Sequence, residues 1–244
     1  MNLLELVTEL EVDLPAANAV CSLRLVAVGK YLGLRAGQRV IDFGCGRGEM
    51  LCLWARHFGV TGVGVEVHQP SLADAAARAE RWAVADKLTW ACQDAGGYAL
   101  GEMSFEVAAC MSASMGFGGF GPTIRHLKRA VGARGSIVIA EPFYAVQDVP
   151  RELRAYEGDC PTEIELFDIA RGEGLEVGYY SRATRDEWDR YIFSSRGIEM
   201  REFLAMPVGP AKEDRRRNLH RWQDMYLRYR QPSQGMAFMT LHPA

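Results

Sequence analysis

Short apolar segments alternate with longer helical segments over about residues 37–182. Strands that are apolar along almost their whole length are typical of parallel sheets with helices packed on both faces. The predicted strands are Arg39–Phe43, Thr61–Val67, Leu88–Gln93, Phe105–Met111, Ser136–Glu141, Leu175–Ser181 and Met236–His242. The predicted helices between them are Glu49–Phe58, Ser71–Ala85, Pro122–Val131 and Thr162–Gly172. This pattern predicts an α/β fold with a mostly parallel, seven-stranded sheet.

Two stretches of the chain depart from this alternation. Helical segments within about residues 1–36 precede the first strand, and a polar helical insert at about residues 184–231 separates the last two strands. Thr184, followed three residues later by Glu187, has the form of a capping box at the start of the insert. Since no linker is long enough to separate a second domain, residues 1–244 are predicted to form a single domain in which the insert caps an active site.

The composition argues against several classes of partner. The net charge of −3 gives no sign of the basic surface that nucleic-acid binding needs, and no apolar run approaches the roughly 20 residues that span a bilayer. The first residues include Glu5, Glu9 and Asp13, unlike a signal peptide. The six cysteines lack paired spacings, which predicts free thiols and no metal site. These features favour a cytoplasmic protein that acts on a small molecule.

A glycine-rich turn follows the first predicted strand and precedes a predicted helix. Its residues are Asp42-Phe43-Gly44-Cys45-Gly46-Arg47-Gly48-Glu49. Glycine allows the backbone to turn tightly and to approach a ligand, and the start of the helix offers unpaired N–H groups. A dinucleotide-binding turn would have its third glycine where Glu49 stands. The spacing is instead Asp-x-Gly-x-Gly-x-Gly, with an acid at the end of the strand.

This pattern resembles the class I S-adenosylmethionine-dependent methyltransferases, and the resemblance covers roughly residues Arg39–Ser181. It implies a Rossmann-like three-layer sandwich with an antiparallel last strand, and S-adenosylmethionine as the cofactor. In that family the glycine turn passes beneath the methionine moiety and the ribose, and an acid beside it suits a ligand with an ammonium and a sulfonium group. The residues that the resemblance assigns to the cofactor are Asp42, Phe43, Gly44, Cys45, Gly46, Gly48, Glu66, Val67, Asp94, Ala95, Met111 and Ser112.

Acids also close the next two predicted strands. Glu66 lies about 20 residues beyond the glycine turn, which is the distance expected of a ribose-binding acid. Asp94 stands where the family uses an acid to accept a hydrogen bond from the adenine amino group. By the same resemblance, Val67 and Ala95 would flank the adenine ring, and the end of the fourth strand would face the reacting methyl group.

Catalytic and substrate residues leave weaker signals, because methyl transfer mainly needs alignment and the exclusion of water. Glu141, predicted to end the fifth strand, is the candidate general base, and Tyr144, just beyond it, is the second candidate catalytic residue. Phe117, Trp188 and Tyr191 are the candidate substrate contacts, the last two on one helical face. Glu141 could equally pair with a cation, and packing of the insert against the sheet is the favoured alternative role of the two insert aromatics.

Two other functions agree with parts of this pattern. A nicotinamide-dependent oxidoreductase shares the strand, glycine turn and helix, but Glu49 and Asp42 disfavour it. A non-catalytic module would keep the S-adenosylmethionine motif without turnover. The leading hypothesis is methyl transfer to a small-molecule acceptor. The sequence assigns neither the acceptor nor its reacting atom, and it does not assign the oligomeric state of the protein.

Overall fold

The computed structural model describes residues 19–100 and 105–244, so the start of the predicted N-terminal helices lies outside the described residues. The strands are β1 Arg39–Phe43, β2 Thr61–Glu66, β3 Leu88–Cys92, β4 Val107–Met111, β5 Ser136–Tyr144, β6 Leu175–Arg182 and β7 Gln234–Pro243. The main helices are α1 Ser22–Tyr31, α2 Glu49–Phe58, α3 Gln69–Arg81, α4 Phe120–Val131, α5 Arg151–Glu157, α6 Glu163–Gly172, α7 Arg185–Ala205 and α8 Pro210–Met225.

The seven strands form one sheet in the order β3-β2-β1-β4-β5-β7-β6. Strands β1 to β5 pair in parallel, and β7 is antiparallel to both of its neighbours, β5 and β6. The mostly parallel sheet with an antiparallel last strand is therefore confirmed. The strand order reverses at β1, between β2 and β4, and ligands of open α/β sheets bind at such a point, beyond the carboxyl ends of the strands.

Helices cover both faces of the sheet and bury two separate apolar cores. On one face, Leu25 of α1 and Trp54 of α2 pack together with Phe238 of β7. The indole N–H of Trp54 donates to the carbonyl oxygen of Leu25 at 2.9 Å, which fixes α1 against α2. On the other face, residues of α4 and α6 such as Leu127 and Leu166 are fully buried against β5. The three-layer arrangement follows from strands that are apolar on both faces.

The predicted helical insert consists of α7, α8 and a short helical turn before β7. The capping box at its start is confirmed, because the hydroxyl of Thr184 accepts from the backbone N–H of Glu187 and the Glu187 carboxylate accepts from that of Thr184. The same carboxylate pairs with Arg24 of α1 at 2.8 Å. The insert is thus held to the helix that precedes the sheet.

Two elements differ from the sequence expectation. Strand β5 continues to Tyr144 instead of ending at Glu141. Its ladder with β4 ends at Ala140, and beyond that point it continues beside β7, so Pro142, which has no N–H group, lies where the ladder to β4 has ended. The second difference is α5, a seven-residue helix that the sequence pattern did not predict. None of the helices in the described part of the chain is long and apolar enough to cross a membrane.

Candidate functional site

The glycine turn between β1 and α2 has the backbone conformation that its sequence predicts. Gly44, Gly46 and Gly48 have φ angles of 71°, 53° and 68°, in the left-handed region that favours glycine. The backbone N–H groups of Gly44 and Cys45 both donate to the carbonyl oxygen of Val65 in β2, at 2.8 and 3.1 Å. Gly48 precedes α2 and brings no side-chain cap, so the first N–H groups of that helix remain available to a ligand.

Asp42 provides a buried carboxylate beside this turn. Its side chain is 2% exposed, and its Oδ1 atom has no hydrogen-bond partner within the described residues. Burial, and then the nearby charge of Glu66, raises the pKa of Asp42 to about 7. A buried carboxylate without a cation is costly, and a positively charged ligand group next to it would remove much of that cost.

Glu66, at the end of β2, faces the same turn. Its Oε2 accepts from the backbone N–H of Gly46 at 3.0 Å, and its Oε1 accepts from that of His68 at 2.9 Å. A carboxylate has about four lone-pair positions, so each oxygen can accept a further hydrogen bond. The adjacent Val67 is 70% exposed, an unusual state for a valine directly after a buried strand, and it offers an apolar surface beside Glu66.

Asp94 follows β3 and begins a short helical turn, 95–97. Its Oδ2 accepts from the backbone N–H of Gly97 at 3.0 Å, while the side chain remains exposed. Glu66 and Asp94 therefore stand at the carboxyl ends of adjacent parallel strands, with exposed Val67 and half-buried Ala95 following them. This arrangement offers acceptors for hydroxyl and amino groups around an apolar platform.

An aromatic cluster that the sequence did not predict packs around Phe43 at the carboxyl end of β1. The ring of Phe43 lies 4.8 Å from that of His126 in α4 and 6.0 Å from that of Phe117. Phe117, predicted as a substrate contact, thus packs on the end of β1, and its helical turn contacts the turn that follows Asp94. The signal that could have indicated His126 is the apolar periodicity of α4, which places it on the buried face.

The end of β4 carries a strained residue. Ser112 has a φ angle of 66°, which is rare for a residue other than glycine and is a feature that clusters at functional sites. Its backbone N–H donates to the carbonyl oxygen of Ala140, and its hydroxyl lies 3.5 Å from the sulfur atom of Met236. Met111, just before it, is buried in the core. Met236 is separated from Ser112 by 124 residues, and no sequence pattern joined the two.

Glu141 is buried within β5, three residues before the end of the strand. Its Oε1 accepts from the hydroxyl of Ser114 at 2.7 Å, and its Oε2 has no partner within the described residues. Burial raises the pKa of Glu141 to about 7, and the hydrogen bond from Ser114 acts in the opposite direction. Tyr144, the other predicted catalytic residue, is buried and donates its hydroxyl to the carbonyl oxygen of Gly158 at 2.7 Å.

Trp188 and Tyr191 lie together on the side of α7 that packs against the rest of the protein, with ring centroids 6.0 Å apart. Both pack against the core that contains α1 and α2. Trp188 is 4% exposed, its indole nitrogen has no partner within the described residues, and it lines a cavity of about 170 Å³ that also includes Met236. Both aromatics thus pack against this core and Trp188 also lines a cavity at the sheet edge, while their contact with a substrate stays a prediction.

The three successive arginines of α8 are paired with nearby carboxylates. Arg216 and Arg217 pair with Glu213 and Asp214 one turn earlier, and Arg215 lies 3.6 Å from Glu199 of α7. These pairs are mostly solvent-exposed and contribute little individually. The predicted cofactor residues, in contrast, converge at the carboxyl ends of β1 to β4, where the strand order reverses.

Comparison with known proteins adds an independent finding. A family model described as a methyltransferase domain matches residues 40–137. The fold superposes on a Geobacter sulfurreducens S-adenosylmethionine-dependent methyltransferase in complex with S-adenosyl-L-homocysteine, with a TM-score of 0.83, 31% identity and coverage of 100% of this chain and 99% of that one. A Thiobacillus denitrificans enzyme of the same description, also solved with S-adenosyl-L-homocysteine, gives a TM-score of 0.83 at 29% identity, over 100% and 99% of the two chains.

A curated relative is the uncharacterized Escherichia coli protein YjhP, which is 29% identical over 227 residues, or 89% of this chain and 90% of the relative. The sequence motif, the sheet order and these full-length similarities agree with one another, and they set aside the nicotinamide-dependent alternative. The chain belongs to the S-adenosylmethionine-dependent methyltransferases.

Proposed function

We propose that this enzyme transfers a methyl group from S-adenosylmethionine to a small-molecule acceptor, with the cofactor bound across the glycine turn and the ends of β2, β3 and β4. The observation that carries this assignment is the unpaired, buried Oδ1 atom of Asp42 beside three glycines in the left-handed conformation. An ammonium group is the ligand group that such a carboxylate favours. The residues present therefore fit the cofactor.

Each part of the cofactor has a counterpart in the chain. Asp42 would bind the methionine ammonium, Glu66 the ribose hydroxyls and Asp94 the adenine amino group. Val67 and Ala95 would flank the adenine, supported by the exposure of Val67. The remaining proposed contacts come from the glycine turn and from the end of β4: Phe43, Gly44, Cys45, Gly46, Gly48, Met111 and Ser112.

When bound, the cofactor supplies a methyl group that its sulfonium makes electrophilic. The chain has to align an acceptor with that carbon and keep water away. We assign Glu141 as the group that receives a proton from the acceptor, supported by its unpaired Oε2 and its raised pKa of about 7. Tyr144, whose hydroxyl is bound to the Gly158 carbonyl, would shape the site rather than move a proton.

The acceptor is proposed to be a small molecule because the cavity at Trp188 is small, about 170 Å³.

We also propose that the enzyme acts in the cytoplasm. All six cysteines are free thiols, and burial raises the pKa of Cys52 and of Cys160 to about 12. Unpaired cysteines of this kind are typical of a reducing compartment.

Calorimetry with S-adenosylmethionine tests the cofactor assignment. We expect micromolar binding by the unmodified protein and binding at least tenfold weaker in Glu66→Ala and in Asp94→Ala, because each loses an acceptor for a polar group of the ligand. Asp86→Ala is the matched control, since this exposed acid precedes β3 and so lies at the amino ends of the strands, away from the proposed site at their carboxyl ends. Failure of the unmodified protein to bind S-adenosylmethionine would refute the assignment, as would equal binding by all four proteins.

A further inference from the structure

A cavity between the insert and the sheet is lined by cationic and neutral polar side chains together with apolar ones. It opens at the sheet edge where β5 and β6 end and β7 begins, and its volume is about 170 Å³. Two arginines, Arg182 and Arg185, and two glutamines line it together with apolar groups such as Phe143 and Met236. No aspartate or glutamate lines the cavity in the described part of the chain. Hydrogen-bond donors without a balancing carboxylate favour an anionic occupant.

The two arginines differ in the charge that they leave available. The guanidinium of Arg182 donates two hydrogen bonds to the carboxylate of Glu163, so its charge is already compensated. Arg185 donates to the main-chain carbonyl oxygen of Gln231 at 2.7 Å and has no carboxylate within 4 Å among the described residues. The neighbouring acid, Asp189, accepts from the hydroxyl of Tyr226 and from the amide of Gln231 instead. Among the described residues, Arg185 is therefore the arginine of this cavity that has no paired carboxylate.

Trp188 contributes a second unmet donor. Its side chain is 4% exposed and lines the cavity, and its indole N–H has no acceptor within the described residues. The guanidinium of Arg230 lies 5.5 Å from the centre of the Trp188 ring and is paired with Glu157 at 3.2 Å, so it is not a competitor for the same anion. Buried indole N–H groups usually have a partner, and an oxygen atom of a ligand would provide one.

The cavity adjoins the proposed position of the transferred methyl group. Met236 lines it, and the Met236 sulfur contacts the hydroxyl of Ser112 at the end of β4. An occupant can thus contact Met236 at one end and Arg185 at the other. Its size is limited, because an engineered apolar cavity of roughly 150 Å³ holds a molecule such as benzene.

We propose that the methyl acceptor is a small monocarboxylate, that its carboxylate binds the indole N–H of Trp188 and the guanidinium of Arg185, and that its nucleophilic atom lies on the Met236 side. This inference rests on the proposed function. The acceptor's lone pair forms the new bond to the methyl carbon while the carbon–sulfur bond breaks and leaves its electron pair on sulfur. A proton carried by the acceptor passes by way of water to Glu141, which does not itself line the cavity.

Binding of benzoate to the protein saturated with S-adenosylhomocysteine tests the site without knowledge of the natural acceptor. We expect benzoate to bind at least tenfold more tightly than its neutral analogue benzamide. Phenyl phosphate serves as the second anion, because a carboxylate site of this size should disfavour it. Equal binding of benzoate and benzamide overturns the proposal, and tighter binding of phenyl phosphate overturns the carboxylate assignment.

Two substitutions locate the anion. Trp188→Phe keeps the ring but removes the N–H, and Arg185→Gln removes the charge; each is expected to reduce the preference for benzoate at least fivefold. Arg201→Gln, an exposed arginine on the same helix, is the matched control and should leave the preference unchanged. A preference that persists in both variants overturns the site, provided that circular dichroism shows each variant to be folded.

S-adenosylmethionine binding, measured on the same preparations, separates the two claims. If the cofactor does not bind, the proposed function fails. If it binds normally while benzoate shows no preference over benzamide, the inference about the acceptor alone is wrong.

Discussion

Asp42 combines a buried carboxyl group with an open hydrogen-bonding position, which makes its ionisation depend on the ligand. Its folded-state pKa is about 7, against an ordinary value of 3.8. The folded protein therefore holds a proton that the unfolded chain releases above pH 4. The stability linked to this proton is complete below about pH 4 and is lost as the pH rises through 7.

Asp42→Asn should remove this pH dependence. Without cofactor, we expect the variant to be more stable than the unmodified protein at pH 8, by about 1–3 kcal/mol, and the difference to be clearly smaller at pH 4.5, because an amide has no proton to lose. Thermal unfolding at the two pH values provides the measurement. Asp86→Asn, on the exposed surface before β3, should show no such difference.

The same Asp42 variant should bind S-adenosylmethionine more weakly although it is more stable alone. A stabilised protein with weaker cofactor binding is the signature of a carboxylate kept for its ligand, since burial disfavours the charge until a cation arrives. A variant that unfolds at the same temperature as the unmodified protein at pH 8 would contradict this account of Asp42.

Glu141, like Asp42, has one carboxylate oxygen without a partner among the described residues. Substitution of Glu141 distinguishes a role in proton transfer from a structural role. Glu141→Gln retains an oxygen that can accept from Ser114, but it cannot take up a proton. We expect its kcat to fall by about 100-fold while its affinity for S-adenosylmethionine is unchanged. The kcat of the unmodified enzyme should rise with pH through about 7, as Glu141 loses its proton.

The measurement is the rate of S-adenosylhomocysteine formation with an acceptor found among small carboxylates. Ser114→Ala is the matched control, because it keeps the carboxylate and removes only the 2.7 Å hydrogen bond. A Glu141→Gln enzyme with the kcat and pH profile of the unmodified protein would restrict Glu141 to holding the turn at Ser114.

At the scale of elements, the connection from β1 to α2 depends on glycine for two separate reasons. Gly44 has a φ angle of 71°, and a Cβ atom added to it would lie 2.3 Å from the Cβ of Ala113. Gly33 has a similar φ angle of 63°, but no atom lies within 4 Å of an added Cβ. The two positions therefore separate backbone strain from steric overlap.

Gly44→Ala is expected to cost about 2–4 kcal/mol of unfolding free energy and to abolish S-adenosylmethionine binding, because strain and overlap add in the cofactor turn. Gly33→Ala should cost only about 1 kcal/mol and leave cofactor binding intact. Denaturant unfolding and calorimetry on both variants check this difference. Comparable effects of the two substitutions would show that contact with Ala113 is unimportant.

The elements that the sequence predicted are those with a local signal. Strands β1 to β4 are apolar runs, and the glycine turn and the capping box at Thr184 have fixed spacings, so each could be predicted within a residue or two. Strand β5 was predicted too short because a proline such as Pro142 usually ends a strand. Its antiparallel pairing with β7, which the sequence pattern does not reveal, accompanies its continuation to Tyr144. Helix α5 has seven residues, too few for a clear apolar periodicity.

The candidate site divides in the same way. The acids at the ends of β2 and β3 could be predicted because parallel strands bring successive carboxyl ends to one edge. The contacts of Ser114 with Glu141, of Met236 with Ser112 and of Phe43 with His126 join distant segments. Such contacts depend on packing across the sheet, and a single sequence carries no pattern for them.

At the scale of the whole molecule, α1 and the insert act on the site from outside the sheet. The Glu187 carboxylate caps the first turn of α7 and pairs with Arg24 of α1. Glu187 is next in sequence to Trp188, which lies in the cavity wall. Hydrogen bonds and the ion pair hold the pKa of Glu187 at about 2, against the effect of burial. The wall of the proposed acceptor site is thus fixed by two elements far apart in the sequence.

The place of β7 between β5 and β6 has a consequence for synthesis on the ribosome. Residues 234–243 are translated after both neighbours, yet they supply the hydrogen bonds that join β6 to the rest of the sheet. Until they emerge, the edges of β5 and β6 that β7 will join remain unpaired, and unpaired strand edges favour association with other chains. The sheet, and with it the cavity wall formed by Met236, can therefore be completed only after β7 has been synthesised.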